Sequence, residues 1–533
     1  MKQMTRAPKD DPAGSDHDGL DNNVDELTVL ITAQEAYPAL EQAVLDARHD
    51  ISGCFRVFDL TTRLRSPAAR QIGDTWFDLL LDALNRGVAI RLVVSDFDPV
   101  AAMELHRLAW RTQRQIAALR DVAPPDAQLS FRIALHDARC GLCARLAFYP
   151  MVRKKMREIV AIWSGMTVAQ RLRLCMEVPR LHRQGRVDVD DQLWFPQQLA
   201  QLHPATHHQK LAVFDDEKVY IGGLDLNDRR YDTHDHARAP DQTWHDVQLI
   251  ARGPVVAAAK AHLETFLDVV ARKARPLPPV AGFVRTLSRR RQTAPFRLSP
   301  QNVVDEIERV HLQAIGQARH LIYLETQFLR HLPIARALAR RARQVPDLRL
   351  IVVLPAAPED VAFSDKPGLD SRFGEHQQLR AISCLRKAFG ADRLVFASPV
   401  QPRKSTSDDR DALDDAPLIY VHSKVSIFDD VAAVVSSANL NGRSMRWDTE
   451  AGLHLTRKDH VAELRQRVMG VWLPQDAGPE FMDITTGFDH WKRLVGTNSA
   501  LPPQHRRGFL VEYDSAAARA IATAVPGLPP EIV

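Results

Sequence analysis

No run of 18 apolar residues occurs in this chain, so the sequence offers no helix long enough to cross a bilayer. Its first 27 residues (1–27) have no apolar h-region and are rich in Asp, Pro, Gly and Asn. They read as a disordered tail rather than a secretory signal. Cysteine is scarce: Cys54, Cys140, Cys143, Cys175 and Cys384 make an odd set of five without a disulfide-like framework, which fits a reducing cytosol. Cys140-Gly-Leu-Cys143 has CxxC spacing but neither a second pair nor a nearby histidine ligand set, so no zinc or redox role is expected of it. Excess charge is also missing. A net +4 over 533 residues gives no bulk affinity for nucleic acid or an anionic surface, and any basic character that matters must be local. The remaining composition, 45% hydrophobic and 26% charged, is that of an ordinary globular protein long enough for two or more domains.

One short pattern occurs twice. His208-Gln209-Lys210 followed by Asp215, and His422-Ser423-Lys424 followed by Asp429, are both His-x-Lys-x4-Asp. Without a gap, HQKLAVFDDEKVYIGGLDLNDRR (208–230) runs beside HSKVSIFDDVAAVVSSANLNGRS (422–444), which points to an internal duplication. Each copy reads as two apolar strands broken by a tight Asp-Asp turn. On a strand, residues two apart share a face, so each His lies beside its Lys. A neutral imidazole is a nucleophile or general base near pH 7, and an ammonium beside it supplies positive charge. Two such pairs facing one another suit a single anionic group, and a phosphodiester is the obvious candidate. Asp215 and Asp429 lie about five residues, some 16 Å, beyond the lysines, which suits gripping the hairpin turn better than pairing with their own histidines.

The pattern resembles the phospholipase D superfamily, whose two such motifs meet between two similar domains. The likeness spans roughly residues 28–475. GGLDLNDRRYDTHDH (222–236) and Trp244-His245-Asp246 are similar to the features of eukaryotic-type phospholipases D; SSANLNGRSMRWDTE (436–450) and YLETQFL (323–329) are similar to the family's second half. Ser436 stands where the family has Gly, and a side chain there crowds the backbone. The resemblance implies an α/β fold of two pseudo-symmetric α/β/α sandwich lobes with the active site at their interface. It also implies a catalytic set of His208, Lys210, Asp215, His422, Lys424 and Asp429. Asp246 and Glu450 are expected to act across the pseudo-symmetry axis as orienting carboxylates, Glu450 on His208 and Asp246 on His422. The phosphate is expected against Lys210, Lys424, Ser437, Asn439 and Gly223.

The duplication reaches upstream of the motifs. Residues 41–59 and 310–328 both read as an amphipathic helix ending in Ala-Arg-His and then a buried strand; 79–96 matches 338–355 as helix and strand. A third helix near 100–120, and again near 375–389, leads to strands at 129–135 and 393–399. This alternation predicts an α/β sandwich in each half. The expected organisation is a tail (1–27), a first lobe (28–285) with a helical insert at about 138–203, a second lobe (286–475) and a C-terminal extension (476–533). The insert is basic and dotted with large apolar side chains, consistent with a solvated core helix or a bilayer-surface helix. The acidic 401–417 segment reads as a mobile loop.

The resemblance implies a phosphodiesterase of the phospholipase D type acting on glycerophospholipids through a phosphohistidine, with His208 as nucleophile and His422 as general acid. Water, or a primary alcohol in transphosphatidylation, is the acceptor. The residue inventory calls for no metal and no cofactor. A phospholipid at a membrane surface is the expected partner, with no nucleic acid, and the expected form is a cytoplasmic, peripheral monomer; delivery by a secretion machine leaves no mark in the sequence. Two other readings use the same residues: a cardiolipin synthase or related phosphatidyltransferase, and a nuclease or inactive phosphate-binding module.

Overall fold

The structure, a computed structural model, describes residues 23–291, 300–363, 368–406, 410–525 and 529–532. The tail reading falls mostly on residues 1–22, outside the described residues; the fold begins with a strand at Glu26, just inside the expected tail. In the first lobe the strands are β1 (Glu26–Ile31), β2 (Asp50–Phe55), β3 (Ala89–Ser95), β4 (Leu129–Ala134), β5 (Leu211–Phe214), β6 (Lys218–Gly222) and β7 (Val247–Arg252). Its main helices are α1 (Thr32–Asp46), α2 (Trp76–Asn85), α3 (Met103–Val122), the insert's α4 (Leu142–Ser164) and α5 (Val168–Glu177), and α6 (Val255–Val270).

The second lobe has β8 (Phe283–Arg289), β9 (Gln301–Asp305), β10 (Leu321–Thr326), β11 (Arg349–Val353), β12 (Leu394–Pro399), β13 (Lys424–Phe428), β14 (Ala432–Ser436), β15 (Glu450–Leu455) and β16 (Leu510–Glu512). Its helices are α7 (Glu306–Gln317), α8 (Leu332–Gln344), α9 (Leu369–Phe389), α10 (Lys458–Gly470) and α11 (Gly487–Ala500). Sheet order is β1-β7-β6-β5-β2-β3-β4 in the first lobe and β9-β8-β15-β14-β13-β10-β11-β12-β16 in the second. Stripped of edge strands β9 and β16, the two orders are the same, strand for strand. The second sheet starts at Phe283, slightly ahead of the expected boundary, and the C-terminal extension closes its far edge by pairing β16 with β12.

The central strands of both sheets are buried on both faces, which is why they read as nearly continuous branched apolar runs. One face of each sheet is covered by its own helices, α1–α3 in the first lobe and α7–α9 in the second. The opposite faces share one central core: Val213, Ile221 and Leu249 from the first sheet, and Tyr323, Ile427 and Leu453 from the second, pack with α6, α10 and α11. The lobes are therefore joined by a common apolar interior. The insert has a small core of its own. Residues 401–417, expected to be a mobile loop, carry in their described part a short hairpin (412–413 with 416–417) whose Ala416 packs with Val400 and Val511.

Asp215 and Asp429 take up the positions that strand spacing requires. Asp215, at φ 51° in the β5–β6 turn, accepts hydrogen bonds from the backbone N–H groups of Arg48, His49 and Asp50 at 2.7–2.9 Å. Asp429, at φ 50° in the β13–β14 turn, accepts from Arg319, His320 and Leu321 at 2.6–2.9 Å. Each carboxylate thus ties its hairpin to the Ala-Arg-His turn feeding the neighbouring strand. Burial alone would raise the Asp215 carboxyl, but the three amides outweigh it and hold it below the ordinary range. Placing these two aspartates in the catalytic set is corrected by this geometry: their oxygens are committed to backbone amides at the far end of the strand. Asp429→Ala is expected to lower unfolding stability by about 3 kcal/mol, since it orphans amides at a buried turn, and to leave turnover by the folded protein within about twofold. Urea denaturation with activity per folded molecule checks it.

Candidate active site

The histidines precede their hairpins: β5 begins at Leu211 and β13 at Lys424, so His208 and His422 lie on extended lead-in segments rather than in the sheets. Those segments pair across the lobe interface. His208 N and Gln209 N donate to Thr449 O at 2.9 and 3.0 Å, and His422 N donates to His245 O at 2.7 Å. The bonds belong to two parallel bridges, His207 with Thr449 and His245 with Val421. Thr449 and His245 immediately precede Glu450 and Asp246. One stitch per lobe therefore carries each histidine to the opposite lobe's carboxylate.

His208 Nδ1 lies 3.0 and 3.1 Å from the two Glu450 carboxylate oxygens, and His422 Nδ1 lies 2.6 Å from Asp246 Oδ2. A carboxylate on Nδ1 selects the tautomer that leaves Nε2 free for chemistry. Both rings are buried, His208 at 8% exposure and His422 at 2%. Lys210 Nζ donates to His208 O at 2.5 Å, and Lys424 Nζ lies 2.9 Å from His422 Nδ1. The charges of Lys424, Lys210 and His208 all reach His422. Trp244 covers the His422 ring at a centroid distance of 4.5 Å.

Desolvation governs this cleft. Burial, reinforced by Lys210, pushes His208 well below the ordinary imidazole range; burial, reinforced by Lys424 and Lys210, does the same to His422. Burial lowers Lys210, and it brings Lys424 down to about 7 against the pull of Asp246. The same burial raises Asp246 and Glu450 against the opposing charges of the lysines. Every group is driven toward neutrality; an anionic ligand between the lysines would reverse this for the imidazoles and ammoniums, but not for the carboxylates.

The expected phosphate-binding set divides. Lys210 and Lys424 share the cleft. Ser437 instead donates its hydroxyl to Glu450 and accepts from Ala451 N at 3.2 Å, so its bonds hold the orienting carboxylate. Gly223 is a space rather than a ligand: a Cβ there would meet Asp246 Oδ1 at 2.2 Å. Asn439 has a buried Oδ1 that accepts no hydrogen bond among the described residues. The crowding expected of Ser436 is relieved by its strand partner, since Ser436 faces Gly452 where the first lobe has Gly222 facing Gln248.

Several participants carried no assigned role in the sequence reading. Asp225, at the duplicate position of Asn439, lies 3.7 Å from Lys210; burial favours its neutral form, but Lys210, Arg230 and Arg56 outweigh it and keep its pKa low. Glu325, in the YLETQFL segment, accepts from His245 Nε2 at 3.1 Å, Ser423 Oγ at 2.5 Å, Tyr323 OH at 2.6 Å and Trp472 Nε1 at 2.6 Å. It therefore braces the residues beside both Asp246 and His422. Its duplicate position holds Cys54, an apolar neighbour of Leu211. The signal available in the sequence was a charged residue inside an otherwise apolar strand. Among the described residues, no group of three or more His, Cys, Asp or Glu is placed to hold a metal ion, and Cys140 is buried while Cys143 is exposed.

Two duplicated α/β lobes thus pool histidine, lysine and carboxylate in one cleft. Residues 311–472 match the family profile described as cardiolipin synthase, PLD-like domain. The chain is similar to phospholipase D1 of Saccharomyces cerevisiae, 23% identical over 440 residues covering 59% of this chain and 26% of that protein. It is also similar to phospholipase D alpha 3 of Arabidopsis thaliana, 23% identical over 377 residues covering 48% of this chain and 45% of that one. The chain thus spans less than half the length of these curated relatives. Among solved structures it is similar to phosphatidylserine synthase of Haemophilus influenzae Rd KW20, at 12% identity and a TM-score of 0.46 over 84% of this chain and 85% of that one. Residues 311–472 thus carry a phospholipase D-like domain, and the chain as a whole is similar to curated phospholipases D.

Gly223→Ala is expected to push Asp246 off His422 and lower turnover of a phosphodiester by about a hundredfold, with circular dichroism and thermal unfolding little changed. Charged Lys424 is the form that attracts phosphate, and it is lost as pH rises through about 7. For a soluble phosphodiester, kcat/KM should accordingly fall above that pH. Lys424→Arg, charged throughout, should show a lower plateau without this alkaline limb; an unchanged limb would assign it to another group.

Proposed function

We propose that the protein is a phospholipase D, hydrolysing the distal phosphodiester of glycerophospholipids to phosphatidic acid and a head-group alcohol. The observation that carries the reading is the crosswise pairing of His208 with Glu450 and His422 with Asp246 around two buried lysines. His208 Nε2 attacks phosphorus while the bond to the head-group oxygen breaks, and His422 Nε2–H delivers its proton to that oxygen. The neutral His422 ring then takes a proton from water as the water oxygen attacks phosphorus and the N–P bond breaks. Lys210 and Lys424 hold the non-bridging oxygens, and the anionic diester offsets the lysine charges that depress both imidazoles. A primary alcohol replacing water in the second step gives transphosphatidylation. The similarity to curated phospholipases D supports this choice of substrate. A site of this kind acts on lipid at a membrane surface, and among the described residues no helix is long and apolar enough to cross one.

A phosphatidyltransferase of the cardiolipin synthase type is the second reading, favoured by the description of the matched profile. There the second-step acceptor is a lipid hydroxyl. Labelled phosphatidylcholine and phosphatidylglycerol in mixed micelles, with single-stranded DNA in parallel, separate the readings. Phosphatidic acid as main product supports hydrolysis; a two-phosphate lipid from phosphatidylglycerol supports transfer; cleavage of DNA alone overturns both. Within the mechanism, His208→Ala should abolish turnover and phosphoenzyme together, whereas His422→Ala should accumulate acid-labile protein-bound phosphate. The opposite pattern would exchange the two roles.

A further inference from the structure

The insert of the first lobe presents a surface that the catalytic cleft does not use. Among the described residues, ten of the fifteen large apolar side chains left exposed lie between Leu142 and Trp194. They are ordered along the helices. In the first turns of α4 the exposed residues are Leu142, Cys143, Leu146, Ala147, Pro150 and Met151, with no charge among them. Along α5, Val168, Leu172 and Met176 are 64%, 62% and 65% exposed at i, i+4 and i+8, a single stripe. These are not core residues lacking a core. Both helices bury their other sides, through Met156, Ile159, Trp163 and Leu174, in the insert's own cluster.

Charge is concentrated in the same place. Residues 139–177 hold eight Arg and Lys against two Glu, a balance of +6 in a chain whose total is +4, so the rest of the chain is slightly acidic. Both glutamates are engaged by cations, Glu158 by Lys155 at 3.3 Å and Glu177 by Arg107 and Arg173. Lys154 and Arg157 stand exposed just beyond the uncharged turns of α4. The start of α4 is anchored near the cleft: Cys140 N donates to Leu202 O at 2.9 Å, and Arg145 Nε donates to Ala200 O at 2.8 Å. Leu202 is six residues ahead of His208, at most about 20 Å along the chain.

We propose that the exposed faces of α4 and α5 dock the protein on an anionic phospholipid bilayer, with the apolar side chains entering the headgroup region and the cations around them meeting lipid phosphates. The proposal rests on the reading that the cleft acts on phospholipid. A second copy is the weaker occupant, because a symmetric contact would set one strongly basic face against another. Docking through this face puts the cleft beside the layer that holds its substrate.

Co-sedimentation of the full chain with phosphatidylcholine vesicles, with and without phosphatidylglycerol, tests this. Leu146→Glu combined with Leu172→Glu should lower vesicle binding at least about tenfold while sparing turnover of a soluble diester, and Lys154→Glu with Arg157→Glu should erase the preference for phosphatidylglycerol. A measurement independent of these variants uses Cys143, the exposed cysteine of the five. A polarity-sensitive fluorophore there should shift to the blue on phosphatidylglycerol vesicles. Unchanged binding by the variants, an unmoved Cys143 probe, or a dimer that Leu146→Glu dissociates would overturn the docking surface. Vesicle binding through this face without lipid turnover would leave docking intact and remove the phospholipase reading; lipid turnover with variants that bind as the parent does removes docking alone.

Discussion

Two lysines, two carboxylates and two imidazoles share one desolvated cleft, and most of the surrounding architecture serves to keep them there. Isolated, any of these charges would be too costly to bury; together they lower one another's cost, and burial drives each toward its neutral form. The free site is thus held electrically poised. On the proposed reading, a phosphate diester would bring negative charge to the lysines and imidazoles and favour their protonated forms.

Keeping such a cluster dry requires that the two lobes not separate. The sheets turn one face each into a common apolar core with α6, α10 and α11, and the two lead-in segments cross the interface to hydrogen-bond Thr449 and His245. Because those acceptors adjoin Glu450 and Asp246, the bonds that fasten the lobes are also those that orient the histidines. The lead-in hydrogen bonds therefore add to the apolar core in joining the lobes and also orient the histidines.

Duplication supplied two equal halves, and their differences are where the site acquired direction. Asp225 stands beside Lys210 where the other half has Asn439, so Lys210 has a counter-charge from its own repeat, whereas Lys424 is faced by Asp246 of the other lobe. Burial lowers both lysines, Lys424 to about 7. Glu325 and Cys54 occupy equivalent strand positions, and only the former anchors a buried polar network. Steric detail diverged in compensating pairs: Gly222 opposite Gln248 in one sheet becomes Ser436 opposite Gly452 in the other. A side chain gained on one strand is matched by one lost on its neighbour.

Residue pattern alone determined the duplication, the helix–strand order of both halves, the hairpins and the two His–Lys pairs, because these depend on periodicity and on side-chain chemistry written locally in each repeat. The turn role of Asp215 and Asp429 was also legible, since strand rise puts them far from their histidines. The exchange of carboxylates between lobes was expected only by family likeness; the bridges at Thr449 and His245 supply its physical reason. Other roles were decided by tertiary structure: Gly223 as the space that admits Asp246, Ser437 as the support of Glu450, Asp225 as the partner of Lys210, and Glu325 as a buried brace. Each of these depends on a contact between segments distant in sequence, and periodicity carries no information about which side chains meet across a packed interior.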